Sequence, residues 1–403
     1  MIRIGILGHD FMEWGGGLDF IRMVCASLHA TGEPLELHLL LPVRGPRLLA
    51  QRAVRQARRL VARSLGRKGS PSHAPSLSDI TEAVAHTGGT VRIHEIDSGT
   101  RALQRAFRRL SLDVLLPVFR PLRLGRDTPW IGYIYDFQHH HLPHFFGERE
   151  RADRDRDFAL MLERAPVVIV NARAVERDAM QFRPDAKARL VALPFSAAPS
   201  PAWLTLDVDA VRRRYAIQSP YLIVCNQFWV HKDHGTALEA FAQVSAEHPD
   251  LLLVCTGATS DYRNPAHFDE LMKLADERGI RPRLRVLGLI PKADQIALVR
   301  GATALVQPTL SEGGPGGGAV YDAVALGVPA LVSDIDVNRE IDEPNVTFFR
   351  TGDPQDLANA IRALLKAGTA PRRAPEELLA AGRERRRRCG QTLLDAIALA
   401  RGR

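Results

Sequence analysis

Ten apolar runs of strand length recur along this chain, separated by helical stretches and loops: Ile2–Leu7, Leu35–Leu41, Val114–Val118, Trp130–Tyr135, Val167–Val170, Leu222–Cys225, Leu251–Cys255, Leu284–Leu287, Ala304–Val306 and Ala330–Val332. None alternates cleanly between apolar and polar residues, which is the pattern of strands covered on both faces. Strands of that kind alternating with helices predict an α/β chain with two parallel, doubly wound sheets. The 403 residues suffice for two cores. Between the fifth and sixth runs, Pro194, Pro199, Pro201 and Pro220 suppress continuous helix or ladder. The expected division is therefore 1–200, 201–385 and a C-terminal helix over 386–403.

Charge narrows the partners. The formal net charge is +8, yet Arg44 to Lys68 alone holds nine Arg or Lys and no acid, so the rest of the chain is close to neutral. That stretch has no Phe, Tyr or Trp to stack on bases, and nucleic acid is not expected as a partner. Within it, residues 48–65 place Leu49, Ala53, Ala57, Val61 and Leu65 on one stripe and Arg52, Arg55, Arg58, Arg59 and Arg63 around it. Two readings stand for this basic amphipathic helix: a solvated helix packed on its own sheet, or one docked on an anionic membrane surface. The Gly-, Ser- and Pro-containing stretch from Lys68 to Ser78 reads as a loop inside the first domain. The run from Arg383 to Arg388 reads as a solvated helix face.

Cys25, Cys225, Cys255 and Cys389 lie far apart with no Cys-x-x-Cys spacing, which argues for reduced thiols in the cytosol and against a zinc ribbon. The first residues, Met-Ile-Arg-Ile-Gly-Ile-Leu-Gly, read as a strand rather than a signal peptide, and no apolar window approaches a membrane span. The expected location is the cytoplasm, free or peripheral on the inner face of the membrane.

Two glycine-rich loops follow strands. After Ile2–Leu7 comes Gly15-Gly16-Gly17 and then a helix, where Gly16 and Gly17 either make a tight turn or let backbone amides approach an anion. Neither a dinucleotide fingerprint nor a Walker loop is present. The second loop is more specific: Ser311-Glu312-Gly313-Gly314-Pro315-Gly316-Gly317-Gly318-Ala319-Val320-Tyr321-Asp322, ending in Gly327-Val328-Pro329. A strand delivers a carboxylate, a glycine turn exposes amides, and a helix starts beside them with a second carboxylate. Glu312 suits sugar hydroxyls, the amides of Gly316, Gly317 and Gly318 suit a diphosphate, and Asp322 suits ribose hydroxyls.

This stretch resembles the donor-binding motif of retaining glycosyltransferases of the GT-B fold, specifically glycosyltransferase family 4 (group 1). The agreement lies at Glu312, at Gly327-Val328-Pro329 and in Ser333-Asp334-Ile335-Asp336-Val337-Asn338-Arg339-Glu340; the loop is longer by two residues and the second acid is Asp322 rather than Glu. Upstream, Asn226-Gln227-Phe228-Trp229-Val230-His231-Lys232 looks like the family's loop with a lysine on the donor diphosphate, here Lys232, although Asn226-Gln227 stands where many relatives carry Gly-Arg. Thr256-Gly257 opens another donor-side loop, and Leu287 to Pro291 resembles the segment that borders the nucleotide base.

In the N-terminal half, Asp136-Phe137-Gln138-His139-His140-His141-Leu142-Pro143-His144-Phe145-Phe146 is similar to a stretch of a bacterial branch of that family whose cleft histidine lies near the reacting sugar. On an extended backbone His139 and His141 face one way and His140 the other. Three readings stand: a metal site of Asp136, His139 and His141; a hydrogen-bonded structural cluster; or a donor-sugar and acceptor site carried by His139 and then His141. Asn171 is expected to cap the helix that follows it or to touch the acceptor.

The resemblance implies two Rossmann-like domains facing across a cleft, with acceptor on the N-terminal domain, nucleotide sugar on the C-terminal one, and the last helix crossing back. It implies metal-independent, retaining transfer of a hexose, mannose among the candidates, from a GDP- or UDP-linked sugar to a glycan or lipid-linked oligosaccharide in bacterial surface polysaccharide synthesis. His139, Lys232 and Glu312 would carry the chemistry. Two alternatives share the fold: a sugar-nucleotide 2-epimerase and a non-catalytic partner protein.

Overall fold

The computed structural model describes residues 1–8, 11, 16–44, 77–125, 127–368 and 372–402. The basic stretch 48–65, Gly15 and most of the 68–78 loop lie outside the described residues.

Thirteen described strands form two wholly parallel sheets. The first holds β1 (Ile2–Leu7), β2 (Leu35–Arg44), β3 (Val91–Asp97), β4 (Val114–Val118), β5 (Trp130–Tyr133), β6 (Val167–Val170) and β7 (Arg189–Ala192), in the order β3-β2-β1-β4-β5-β6-β7. The second holds β8 (Tyr221–Cys225), β9 (Leu252–Thr256), β10 (Leu284–Gly288), β11 (Ala304–Gln307), β12 (Ala330–Ser333) and β13 (Val346–Phe349), in the order β10-β9-β8-β11-β12-β13. The chain passes from one sheet to the other between Ala192 and Tyr221.

The first sheet is covered by α1 (Gly17–His29), α2 (Leu77–Ala85), α3 (Thr100–Arg109), α4 (Gln138–His141), α5 (Glu148–Arg164) and α6 (Arg173–Phe182). After a short helix α7 (Pro201–Leu204), the second carries α8 (Val208–Arg214), α9 (His234–Ser245), α10 (His267–Glu277), α11 (Lys292–Gly301), α12 (Gly317–Ala325) and α13 (Pro354–Ala367). Each sheet is buried on both faces, so the apolar residues fall into four clusters, two per domain. Central strands β4, β5 and β6 are buried throughout.

In each sheet the order reverses beside its first strand, between β1 and β4 and between β8 and β11. Loops leaving the C-terminal ends of those strands splay apart there and leave a crevice, the usual place for a ligand in such sheets.

The last helix, α14 (Pro375–Ala400), is one continuous helix of 26 residues and not a separate piece from 386. Leu378 belongs to a C-terminal core cluster, while Cys389, Leu393, Ala396 and Ile397 belong to an N-terminal one. Gly390 makes that crossing possible: a Cβ there would stand 2.0 Å from the Ser27 carbonyl oxygen on α1. The arginine run is not all solvated. Arg385 is buried and forms an ion pair with Glu343, Nη2 to Oε2 at 2.6 Å, and Arg386 donates to the Met23 carbonyl at 3.2 Å. The helix turns those two positions inward and leaves Arg383, Arg387 and Arg388 exposed.

Among the described residues no helix is long and apolar enough to cross a membrane.

Candidate active site

The second crevice is built from three loops tied to one another. Beyond β8 the chain makes a 3-10 turn over Val230–Lys232 and reaches Asp233, whose left-handed conformation (φ +48°) ends the turn and whose carboxylate caps α9, accepting from the Thr236 hydroxyl at 2.6 Å. Buried Asp261 holds this loop to the one after β9 by accepting from the backbone N–H groups of Val230 and Arg263, each at 2.9 Å. The loop after β11 is fastened by Leu310 N–H to the His231 carbonyl at 2.8 Å. Lys232 is thus fixed by its backbone before its ammonium makes any contact.

Four side chains then line up across the switch point. Asn226 donates to Gln307 at 2.8 Å, Gln307 donates to Glu312 Oε1 at 2.8 Å, and Lys232 Nζ reaches the same oxygen at 2.5 Å. Gln307 is the buried last residue of β11. The Glu312 carboxylate also lies over Gly317, where a Cβ would come within 3.1 Å of its carboxyl carbon.

The glycine loop is held from below. Gly316 N–H donates to Asn338 Oδ1 at 2.6 Å, Asn338 donates to the Ser333 carbonyl at 2.9 Å, and Ser333 donates to the Thr309 carbonyl at 2.6 Å. Gly316 and Gly317 take φ of +69° and +60°, which a residue with Cβ rarely adopts, and α12 begins at Gly317. The first-turn amides from Gly318 onward point out of the helix start. Gly257, at φ +131°, sits so close to Asn226 that a Cβ would lie 2.1 Å from its carbonyl oxygen. Asp322 is buried beneath the crevice and pairs with Lys292 Nζ at 2.6 Å; burial pushes its carboxyl up, and the ammonium opposes that shift. Lys292 also faces Asp19 of α1 at 4.0 Å. Near the start of α1, Gly17 touches the Phe11 backbone so closely that a Cβ would lie 1.7 Å from its carbonyl oxygen, and Gly16 precedes it as the cap residue.

The N-terminal domain meets this loop directly. A Cβ on Gly313 would stand 2.2 Å from the Tyr135 carbonyl oxygen, and one on Gly314 would stand 3.1 Å from the Asn171 Cβ. Asp136, next to Tyr135, therefore faces Glu312 from the other domain. Burial pushes the Asp136 carboxyl up, Arg154 opposes this from 3.5 Å, and the Glu312 carboxylate adds to it. Arg154 and Arg263, one from each domain, stand 4.6 and 4.7 Å from the centre of the Phe146 ring.

Three expectations are corrected here. Residues 138–141 form a turn of helix, α4, rather than an extended segment, so the three histidines do not alternate. His139 is buried, its Nε2 3.1 Å from Asp155 Oδ1, and His140 Nε2 reaches the same oxygen at 2.8 Å, whereas His141 pairs with Asp178 at 2.8 Å. The grouping of Asp136, His139 and His141 does not occur. The described ring contacts of His139 are with Phe137, His140, Phe146 and Phe158, all in the N-terminal domain, and burial pushes its imidazole down to about 4. Asn171 does not cap α6: it donates to the Tyr133 hydroxyl at 2.7 Å. The cap comes from the other domain, where Glu340 accepts from Arg173 N–H at 2.9 Å and Ala174 N–H at 2.7 Å.

Sequence reading places Asp136 only in a metal set and Glu340 only within the segment of resemblance, and passes over Gln307 and Arg263. Gln307 had a signal, a polar residue closing a wholly apolar strand; Arg263 had none, because its partners are distant in the chain.

Comparison with known proteins agrees with this construction. The chain is similar over its whole length to a glycosyltransferase from Rickettsia africae (TM-score 0.63, 11% identity, 99% of this chain and 98% of that one) and to sucrose-phosphate synthase from Thermosynechococcus elongatus (0.59, 15%, 100% and 98%). It is similar also to Anabaena HepE solved with UDP-glucose (0.56, 13%, 100% and 98%). These likenesses, with the two parallel sheets, define a protein of the GT-B fold. Residues 208–385, which supply Asn226, Lys232, Gln307 and Glu312, match the family of glycosyl transferases group 1.

Proposed function

We propose that this protein is a retaining, metal-independent glycosyltransferase of family 4, which moves a hexose, mannose among the candidates, from a GDP- or UDP-linked donor to a glycan or lipid-linked oligosaccharide acceptor in surface polysaccharide synthesis. The observation that carries the reading is the Asn226–Gln307–Glu312–Lys232 array at the switch point, beside the amide-rich start of α12. Glu312 is held by a neutral amide and an ammonium on one oxygen, which leaves the other for sugar hydroxyls. Lys232 and the first-turn amides from Gly318 face the charge that grows on a departing diphosphate. Asp322, whose carboxylate is engaged by Lys292, acts on the ribose only through that pair.

Transfer with retention breaks the bond from the anomeric carbon to the phosphate oxygen and forms the bond to the acceptor oxygen on the same face. The acceptor proton passes to the leaving phosphate. Asp136 is the acidic group of the N-terminal domain that faces Glu312, and it takes over the role of orienting the acceptor hydroxyl that was expected of His139. His141 and Asn171 then serve the walls of the acceptor side. The work is done in the cytoplasm, free or at the inner face of the membrane.

The test is transfer of a radiolabelled sugar to a glycan acceptor. Glu312→Gln keeps size and loses the charge, and kcat is expected to fall at least 100-fold with the fold intact. Normal turnover in that variant contradicts the reading. Conversion of donor without any acceptor, seen by NMR, supports a 2-epimerase in its place.

A further inference from the structure

α4 and α5 line an open cavity of about 320 Å³ whose walls, among them His139, His140, Glu148, Arg151 and Asp155, all come from the N-terminal domain. Two imidazoles converge there on one carboxylate oxygen, His139 Nε2 at 3.1 Å and His140 Nε2 at 2.8 Å from Asp155 Oδ1. All three candidate ligand atoms lie within 4.8 Å of one another. Donor atoms around a tetrahedral ion with bonds of about 2.0–2.1 Å stand about 3.3 Å apart, so both N···O separations are near that spacing.

The two imidazoles differ in how they are held. His139 is 2% exposed, packed among Phe137, Phe146 and Phe158, and needs no reordering to present Nε2. His140 stacks on Phe182 at 4.1 Å with its edge toward the cavity. The apolar rings around His139 limit solvent access on that side, where its Nδ1 is buried without a hydrogen-bond partner. Glu148 at the start of α5 lines the same cavity outside the three-residue cluster, which leaves the remaining positions of an ion to water.

We propose that His139, His140 and Asp155 form a binding site for a divalent transition-metal ion of the zinc class, independent of the nucleotide-sugar site. Two imidazole donors select such ions over Mg²⁺ and Ca²⁺, which take oxygen ligands. An ion there would tie α4 to α5. Asp136 precedes α4 and contacts Arg154 of α5, so the ion would stiffen the N-terminal wall of the cleft.

Isothermal titration of the full-length, tag-free chain with Zn²⁺ after removal of metal tests this. The expected result is about one equivalent bound in the presence of excess Mg²⁺, with affinity at least 10-fold weaker in His140→Ala and in Asp155→Asn. His141→Ala and His144→Ala, outside the cluster, are expected to bind as wild type. Circular dichroism of each variant checks its fold; His140 is partly exposed and Asp155→Asn keeps shape, so at least one stays folded. Unchanged binding in His140→Ala and Asp155→Asn, equal losses in His141→Ala or His144→Ala, or no saturable binding by wild type overturns the site.

Discussion

Gly257 and Gly313 both leave no room for a Cβ, yet for different neighbours. At Gly257 the obstacle is the Asn226 carbonyl in the same domain, and φ is +131°. Alanine there is expected to cost about 1–3 kcal/mol of stability, read as a lowered Tm. At Gly313 the obstacle is the Tyr135 carbonyl of the other domain. Alanine there strains no core, so Tm is expected to move by no more than about 2 °C while kcat/KM falls at least 10-fold; a large Tm loss with normal turnover would contradict this view of the cleft. His234 gives a pH prediction. Its ring stacks on Phe228 at 4.1 Å, and burial pushes it down to about 3. The folded state resists its protonation, so stability is full above about pH 6.5 and is lost as pH falls toward 3, by up to about 1.4 kcal/mol per pH unit. Denaturant titrations at pH 7 and pH 5 are expected to show a smaller loss in His234→Phe than in wild type. His231, also pushed down by burial, to about 2, keeps part of the slope.

At the scale of elements, one contact joins the two domains and another ties the last helix to the second. Glu340 caps α6 from the other domain, and the same 3-10 turn carries Asn338, which holds Gly316. Glu340→Ala is expected to cost only about 1 kcal/mol, as a lost cap does, while the amides of Arg173 and Ala174 exchange hydrogen faster. Unchanged exchange there would mean that the cap is not formed in solution. Arg385 ties α14 to the second domain: Arg385→Met leaves the largely buried Glu343 carboxylate without its partner and is expected to cost about 3–5 kcal/mol in denaturant unfolding. These elements also mark where sequence reading succeeds. The ten apolar runs all became strands; nine are interior to their sheets, where parallel strands are apolar on both sides, and the tenth, β10, is an edge. The three strands without such a run, β3, β7 and β13, are edges of their sheets and carry exposed or charged residues such as Arg92, Glu95 and Arg189. Residues 138–141 coil into helix because Asp136 accepts from Gln138 N–H at 3.0 Å and His139 and His140 both turn toward Asp155 on α5, a partner that local spacing does not reveal.

At the scale of the whole molecule, the wall of the crevice that carries Lys232 and Glu312 was the legible part. Lys232, Glu312 and the glycine loop lie in two short segments whose residue types already state a chemistry, and folding adds only that β8 and β11 are neighbours. The opposing wall was less legible because its parts, Tyr135, Asp136, Arg154 and Asn171, are ordinary residues until the second domain stands against them. With the domains in contact at Gly313 and Tyr135, Glu312 and Asp136 face each other, and the nucleotide-sugar site proposed above lies beside them. The most direct measurement is a thermal-shift series of UDP, GDP and ADP on wild type and on Lys232→Ala. One nucleoside diphosphate is expected to stabilise wild type by about 2.7 kcal/mol at 100 times its Kd, with at least 10-fold weaker affinity in the variant. No shift with any of the three, or equal shifts in both proteins, would contradict a diphosphate site at Lys232.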